Sequence, residues 1–343
     1  MKFTRLLLCL SLFPFCSFAQ TGGDNTFEFL NLTSSARIVA LGNVLVNSLD
    51  DDVNLSQQLP SLNHAGMNHL LSVNFTNYYA GIKFGSLVYG LPNEKFKNIS
   101  LGLQYLNYGD FKRADEFGNV TGTFSAGEYA LSGSALIYST EKLRLGSTLK
   151  GVYSNLEAYT SLGLLADFSA TYELKEKRAY ASVLVKNLGF QLKSYANESE
   201  PMPFEVVLGV SSKLKYAPLR WSVTWSHLEK WDLSYINPQD VTIDLMTNEE
   251  VQHKTSIRDK ILAHLHVGGE LLISRNFNVR LGYNFKRRQE MALELYKHNV
   301  GFSWGFGMKV RKFHLNYARA SYHAVGPMHT FSVISNWAKF KRK

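Results

Sequence analysis

From about Leu70 to its end, the chain is a run of short strands whose connections alternate between tight and long. Candidate strands lie near residues 69–79, 81–90, 97–108, 122–138, 142–155, 160–173, 178–188, 203–214, 219–231, 262–274, 276–288, 299–310, 311–321 and 328–338, about fourteen in all. Connections after even strands are tight, as at 139–142, 175–176, 215–217, 274–275 and 310–311. Those after most odd strands are long, as at 109–121, 189–202, 232–261, 289–298 and 323–327. A closed antiparallel barrel in a bacterial outer membrane has short periplasmic turns and long outer loops. A soluble β-sandwich has no reason to sort its loops by parity. The expected fold is therefore an all-β transmembrane barrel over residues 69–338.

The strands themselves alternate. Trp221, Val223 and Trp225 interleave with Arg220, Ser222, Thr224 and Ser226. Val279, Leu281, Tyr283 and Phe285 oppose Arg280, Gly282, Asn284 and Lys286. Val300, Phe302, Trp304, Phe306 and Met308 oppose Gly301, Ser303, Gly305 and Gly307. Period two places each set on one face. In a barrel the apolar set faces lipid and the small polar set the lumen. Glycines on the lumen face leave room for something to press against the wall.

The N-terminus reads as a secretory signal over residues 1–19. Lys2 and Arg5 form the basic region, Leu6 to Phe15 the apolar region, and Ser17-Phe18-Ala19 the cleavage site. Bulky Phe15 before Cys16 disfavours a lipoprotein reading. Both cysteines, Cys9 and Cys16, fall in the removed part. The mature chain is then expected to lack a thiol, which excludes disulfides, cysteine nucleophiles and thiolate metal sites.

No stretch beyond it approaches the eighteen or so apolar residues of a spanning helix. The mean hydropathy of -0.14 suits alternating strands, and the 18 Tyr and 22 Phe suit interfacial aromatic girdles. The formal charge of +9 becomes 9 − 2 = +7 without Lys2 and Arg5. The basic residues are scattered, with a cluster in the tail 339–343. With an export signal present, anionic lipopolysaccharide or an acidic partner is the expected counter-charge, not nucleic acid.

Residues 20–68 lack alternation and carry the turn formers Gly22, Gly23, Gly42, Pro60 and Gly66. The segment is too short for its own core. It is expected to fold into the lumen as a plug, the alternative being a loosely ordered periplasmic arm.

Several stretches resemble the PorQ proteins of the Bacteroidetes type IX secretion system, which group with PorV proteins among relatives of the FadL channel. They are FEFLNLTSSARIVALGN (27–43), QYLNYGDF (104–111), GTFSAGEYAL (122–131), LVKNLG (184–189), PFEVVLGVSSKLKYAPLRWSVTWSHLEKWDL (203–233) and LLISRNFNVRLGYNFKRRQEM (271–291). The chain departs from the family at Asn43, where a second glycine is common. It departs again at Leu59-Pro60-Ser61, where an Asn-Pro-Ala turn is common. The resemblance implies a FadL-like fourteen-stranded barrel in the cell-surface attachment machinery. It implies a PorZ-like surface partner, with PorU-like sortase and PorV-like shuttle components in the same complex, acting on cargo joined to lipopolysaccharide. A FadL-like channel for hydrophobic small molecules is the alternative.

Chemistry-bearing residues are few. Asp50, Asp51 and Asp52 could attract Ca²⁺ but lack EF-hand spacing, so a solvated or lumen-paired turn is preferred. His264 and His266 would share a strand face and could begin a zinc site, but no third ligand is spaced for it, so structural histidines are preferred. There is no G-x-S-x-G elbow and no Walker loop, so neither an enzyme nor a cofactor is expected. Arg287 and Arg288 are expected at the outer end of a strand, as a phosphate or acid clamp or, preferably, a solvated headgroup-level cluster. The connection 232–261 holds Ile236, Val241, Ile243, Leu245 and Met246 among acidic residues. A solvated loop does not need that run, so it is the candidate protein-docking element, or else it packs over the barrel mouth.

Overall fold

A computed structural model describes residues 25–78, 81–92, 98–175, 178–196, 198–233, 241–243, 250–252, 256–291, 299–323 and 326–338. The strands are β1 (Leu70–Asn77), β2 (Lys83–Leu91), β3 (Ile99–Ala114), β4 (Val120–Ser139), β5 (Leu143–Leu156), β6 (Tyr159–Lys175), β7 (Ala179–Lys193) and β8 (Glu205–Lys213). They continue with β9 (Leu219–Trp225), β10 (Val241–Ile243), β11 (Glu250–Gln252), β12 (Leu265–Leu271), β13 (Phe277–Asn284), β14 (Phe302–Val310), β15 (Phe313–His323) and β16 (Gly326–Asn336). Fourteen of them close a barrel of antiparallel neighbours. The first and last strands seal it, with Leu70 opposite Asn336 and Asn77 opposite His329. β10 and β11 form a separate two-stranded ribbon, so β9 pairs directly with β12.

The side-chain period makes this closure possible in lipid. Leu131, Leu149, Leu281, Phe302, Trp304 and Phe331 stand exposed on the outer face, and Ser134, Thr148, Gly282, Ser303 and Ser332 are buried on the inner one. Every backbone group of a spanning strand needs an internal partner, and a closed ladder supplies it. The apolar exterior fits an outer-membrane barrel. Phe285 and Lys286 lie beyond the strand, on the helix Phe285–Met291, and Val300 also departs from the predicted faces. It lies in the turn ahead of β14 and is 2 % exposed, because the alternation begins only where strand pairing begins.

The strands depart from expectation at the end opposite the chain termini. The expected loop 109–121 is largely strand, since β3 runs through Ala114 and β4 starts at Val120. A tight turn joins them, in which Asp115 Oδ1 accepts hydrogen bonds from the backbone N–H of Phe117 and Asn119 at 3.0 and 2.8 Å. β7 likewise runs on to Lys193. The expected strand 262–274 is shorter and is preceded by a helix, Ile257–Ala263. Ser256 caps that helix by accepting from Arg258 N. The expected strand 276–288 ends at Asn284 and turns into a helix, Phe285–Met291. There Asn284 Oδ1 accepts from Arg287 N at 2.8 Å, a local bond that competes with the ladder.

Residues 25–69 lie against the inner wall. They contain the short helices α1 (Ala36–Ala40) and α2 (Asn54–Gln58) and three 3-10 turns. The two helices at the end opposite the termini are then α3 (Ile257–Ala263) and α4 (Phe285–Met291). An irregular segment inside a barrel must place its backbone N–H groups somewhere. The wall's hydroxyls take several of them. Ala36 N donates to Ser332 Oγ at 2.9 Å, Leu45 N to Thr224 Oγ1 at 2.8 Å, and Ser61 N to Ser169 Oγ at 2.9 Å. Contact is close enough to require bare backbone on the wall. A Cβ on Gly282 would lie 2.0 Å from Leu41 C, and one on Gly146 2.3 Å from Ser61 N.

Candidate functional site

Two features of the lumen are built from side chains the sequence offers. The first is an ionic network between the inner segment and the wall. Arg37 on α1 reaches Asp50 Oδ2 at 2.5 Å, Asp52 Oδ2 at 3.5 Å and Glu270 Oε2 of β12 at 3.0 Å. Arg220 of β9 reaches Asp50 Oδ2 at 2.6 Å and Glu270 Oε2 at 2.7 Å. Arg280 of β13 donates through Nε to Glu270 Oε1 at 2.7 Å and through Nη1 to Asn316 Oδ1 at 2.8 Å. The three guanidiniums and three carboxylates cancel in charge. Neutral, multiply bonded sets are the form in which buried ions are tolerated. Burial alone would raise the Asp50 carboxyl, but Arg37 and Arg220 outweigh it and hold the group well below the usual range.

Of the acidic run, Asp50 and Asp52 are thus paired in the lumen. Asp51 instead lies 3.2 Å from His64 Nε2 and is exposed.

The second feature is a chamber of about 1700 Å³ above this network. Its wall includes Leu30, Ile38, Val88, Leu184 and Val207, and its rim Leu228, Trp231 and Ile261. Below it Val44, Val46, Val53, Leu55, Leu59 and Leu62 are all 0 % exposed and fill the bore.

Arg287 also lines the chamber. It does not sit on a strand end, as expected, but on α4, where the chain has turned back over the lumen. It is 6 % exposed, which overturns the solvated-cluster reading for this residue. Its Cζ lies 3.6 Å above the Tyr322 ring, and Nη1 donates to Ser303 Oγ at 3.4 Å. Arg288, its neighbour, is half-buried.

Two of the other expected docking residues can be placed in an element. Val241 and Ile243 fall in β10 of the separate ribbon. Ile236, Leu245 and Met246 lie outside the described residues.

His264 caps α3 rather than sharing a strand with His266, because the strand starts one residue later. His264 lies between the carbonyls of Ser226 and Trp231 at 2.7 and 3.2 Å. His266 contacts Ser226 Oγ at 2.9 Å and Gly42 O at 3.2 Å. Both rings are held by backbone, hydroxyl and, for His266, Asn284 amide partners, the last at 3.0 Å. Among the described residues no three His, Cys, Asp or Glu side chains group as a metal site would require.

Arg37, Arg220, Glu270, Arg280 and Tyr322 were not singled out from sequence. A signal was present for three of them. Arg220, Glu270 and Arg280 interrupt otherwise small, polar lumen faces, and a charge there needs a partner. Nothing local marks Arg37 or Tyr322.

No known family's sequence profile matches the chain, and no curated protein matches it. Solved structures do. The toluene transporter TbuX of Ralstonia pickettii matches with TM-score 0.47 and 10% identity, over 87% of this chain and 95% of TbuX. The toluene transporter TodX of Pseudomonas putida matches with TM-score 0.47 and 11% identity, over 88% and 96%. A FadL homologue of Pseudomonas aeruginosa gives 0.46 and 11%, over 89% and 99%.

Proposed function

We propose that this barrel is a non-enzymatic outer-membrane anchor that holds a cell-surface protein at its outer mouth, as its resemblance to PorQ proteins implies. The observation that carries the reading is the combination of a filled bore and an apolar rim. The inner segment is bonded to the wall and occupies the lumen below the chamber, acting as a plug. A clamped plug beneath a continuous ladder suits a static holder. The rim carries Leu228, Trp231 and Ile261, and Ile257 beside them on α3 is 71 % exposed. Exposed apolar groups amid polar ones are the usual core of a protein interface. On this reading the partner is PorZ-like, and the barrel belongs with PorU-like and PorV-like components that join cargo to lipopolysaccharide.

The test is purification of the tagged barrel from native outer membranes in mild detergent. A surface protein should copurify in near-equal amount. Trp231→Glu with Ile257→Glu should release it while the barrel stays inserted. Deleting the barrel should send surface cargo into the medium. Normal cargo attachment without the barrel would refute the reading.

A second reading is favoured by the chamber itself. Its apolar lining and outward opening suit a hydrophobic small molecule, and the protein would then be a FadL-like channel. Loss of the barrel would abolish uptake of that molecule and leave surface proteins in place. Uptake of radiolabelled hydrophobic compounds by matched strains separates the two.

A further inference from the structure

Among the described residues, Arg287 has a buried charge and no counter-ion. It is 6 % exposed, and among the described residues no carboxylate approaches it within ion-pair distance. Three lysines of the chamber are matched. Lys150 pairs with Asp167 at 2.6 Å, Lys186 with Glu205 at 2.5 Å, and Lys286 with Glu290 at 3.7 Å. Among the described residues the Arg287 guanidinium has the Tyr322 ring and a long bond to Ser303. An isolated buried guanidinium is costly, and stacking on one ring offsets only part of that cost. The fork of donors that the ring leaves unused is the shape that takes a carboxylate.

Two more polar atoms at the chamber wall lack partners. Ser35 Oγ and Asn43 Oδ1 are buried without a hydrogen bond, and both residues line the chamber. Asn43 Nδ2 does donate to Tyr322 OH at 3.3 Å, which ties it to the Arg287 stack. Native interiors rarely leave such atoms unmatched. An alkyl chain would leave both unsatisfied. A peptide brings backbone N–H and C=O groups together with an acidic side chain. The volume, about 1700 Å³, also exceeds the roughly 300–1,000 Å³ of ordinary small-molecule sites.

We propose that the outer chamber is a socket for an acidic peptide segment of the surface partner, with an Asp or Glu carboxylate of that segment seated on Arg287. The peptide backbone pairs with Ser35 and Asn43, and its apolar neighbours pack on the lining aliphatics. This rests on the anchor reading above and adds the chemistry of what enters the mouth.

The experiment places the photo-crosslinker benzoylphenylalanine at Thr33, which lines the chamber, in the full barrel expressed in its native cells. After illumination the attached species is identified by mass spectrometry. The expected product is a segment of a surface protein with Asp or Glu within a few residues of the link. Arg287→Gln should cut its yield at least tenfold while the barrel keeps its heat-modifiable migration. Replacing the identified acid by its amide should do the same. Should Arg287→Gln fail to fold, Ser35→Ala, a smaller change at the same wall, should still lower the yield severalfold. An anionic lipid on the crosslinker overturns the proposal. So does a peptide whose yield ignores both substitutions, and so does no crosslink although the surface protein copurifies. If no surface protein copurifies at all, the anchor reading has failed as well.

Discussion

Arg37 and Glu270 meet at 3.0 Å, one on a short helix inside the barrel and the other on its wall, and each side chain is 5 % exposed or less. They are 233 residues apart in sequence. The contact joins the inner segment to the wall through a charge that neither side can leave unpaired. Removing one member of such a pair strands the rest of the network.

Arg37→Met should therefore cost about 3–5 kcal/mol, the usual penalty for leaving a buried charge without its partner. It should also free residues 25–69 for proteolysis before the barrel itself unfolds. Urea denaturation followed by tryptophan fluorescence, with limited trypsin digestion in parallel, measures both. An unchanged midpoint and an uncut segment would show that the network is dispensable.

Close packing gives a second expectation. Gly282→Val puts a side chain where Leu41 and Gly42 backbone already lies. Overpacking of that kind costs about 1–3 kcal/mol or more. A Cβ at Gly151 would meet nothing within 4 Å, so Gly151→Val should be tolerated. Comparing the temperatures at which the two variants lose heat-modifiable migration checks the contrast.

Acid should loosen the inner segment. Asp50 is held below its ordinary range, because Arg37 and Arg220 outweigh the effect of burial. Its stabilising contribution is complete above the unfolded-state value, about 3.9, and is lost as pH falls below it toward the depressed folded value. Stability should decline on acidification through and below that point. Asp50→Asn should be less stable at neutral pH and show a flatter acid limb. Parallel acid limbs for the two proteins would contradict this.

The lipid face offers a test of side-chain orientation. Trp225→Arg and Phe302→Arg should each cost about 2–4 kcal/mol if their positions are near the bilayer midplane. Ser303 is buried on the inner face, so Ser303→Arg should disturb the inner segment and the Arg287 stack instead. Refolding titrations into lipid vesicles distinguish a wall defect from a lumen defect.

Orientation is open to labelling. A cysteine at Asn119, in the turn between β3 and β4, should react with an impermeant maleimide on whole cells. One at Lys142, between β4 and β5, should react only after the outer membrane is opened. The opposite pattern would invert the barrel.

The sequence by itself determined the wall. Strand number, antiparallel order and the lipid and lumen faces follow from a period of two and from loop lengths, which are local properties. Local patterns also marked residues 20–68 as lacking strand alternation. They failed at the strand ends opposite the termini, where β3 and β4 extend together beyond the expected loop and where β13 gives way to α4. Pairing with a neighbour decides the first, and a single side-chain bond from Asn284 the second. The tertiary structure alone decided the site. Arg287 reads as one of two surface basic residues until α4 folds back and Tyr322 of β15 supplies its ring. Arg37 and Asp50 of the inner segment meet Arg220, Glu270 and Arg280 of three wall strands, 170 to 233 residues away for Asp50–Arg220 and Arg37–Glu270, and nothing local names that pairing. Alternation fixes which way a side chain points, whereas its partner depends on barrel closure and on where the inner segment lies against the wall.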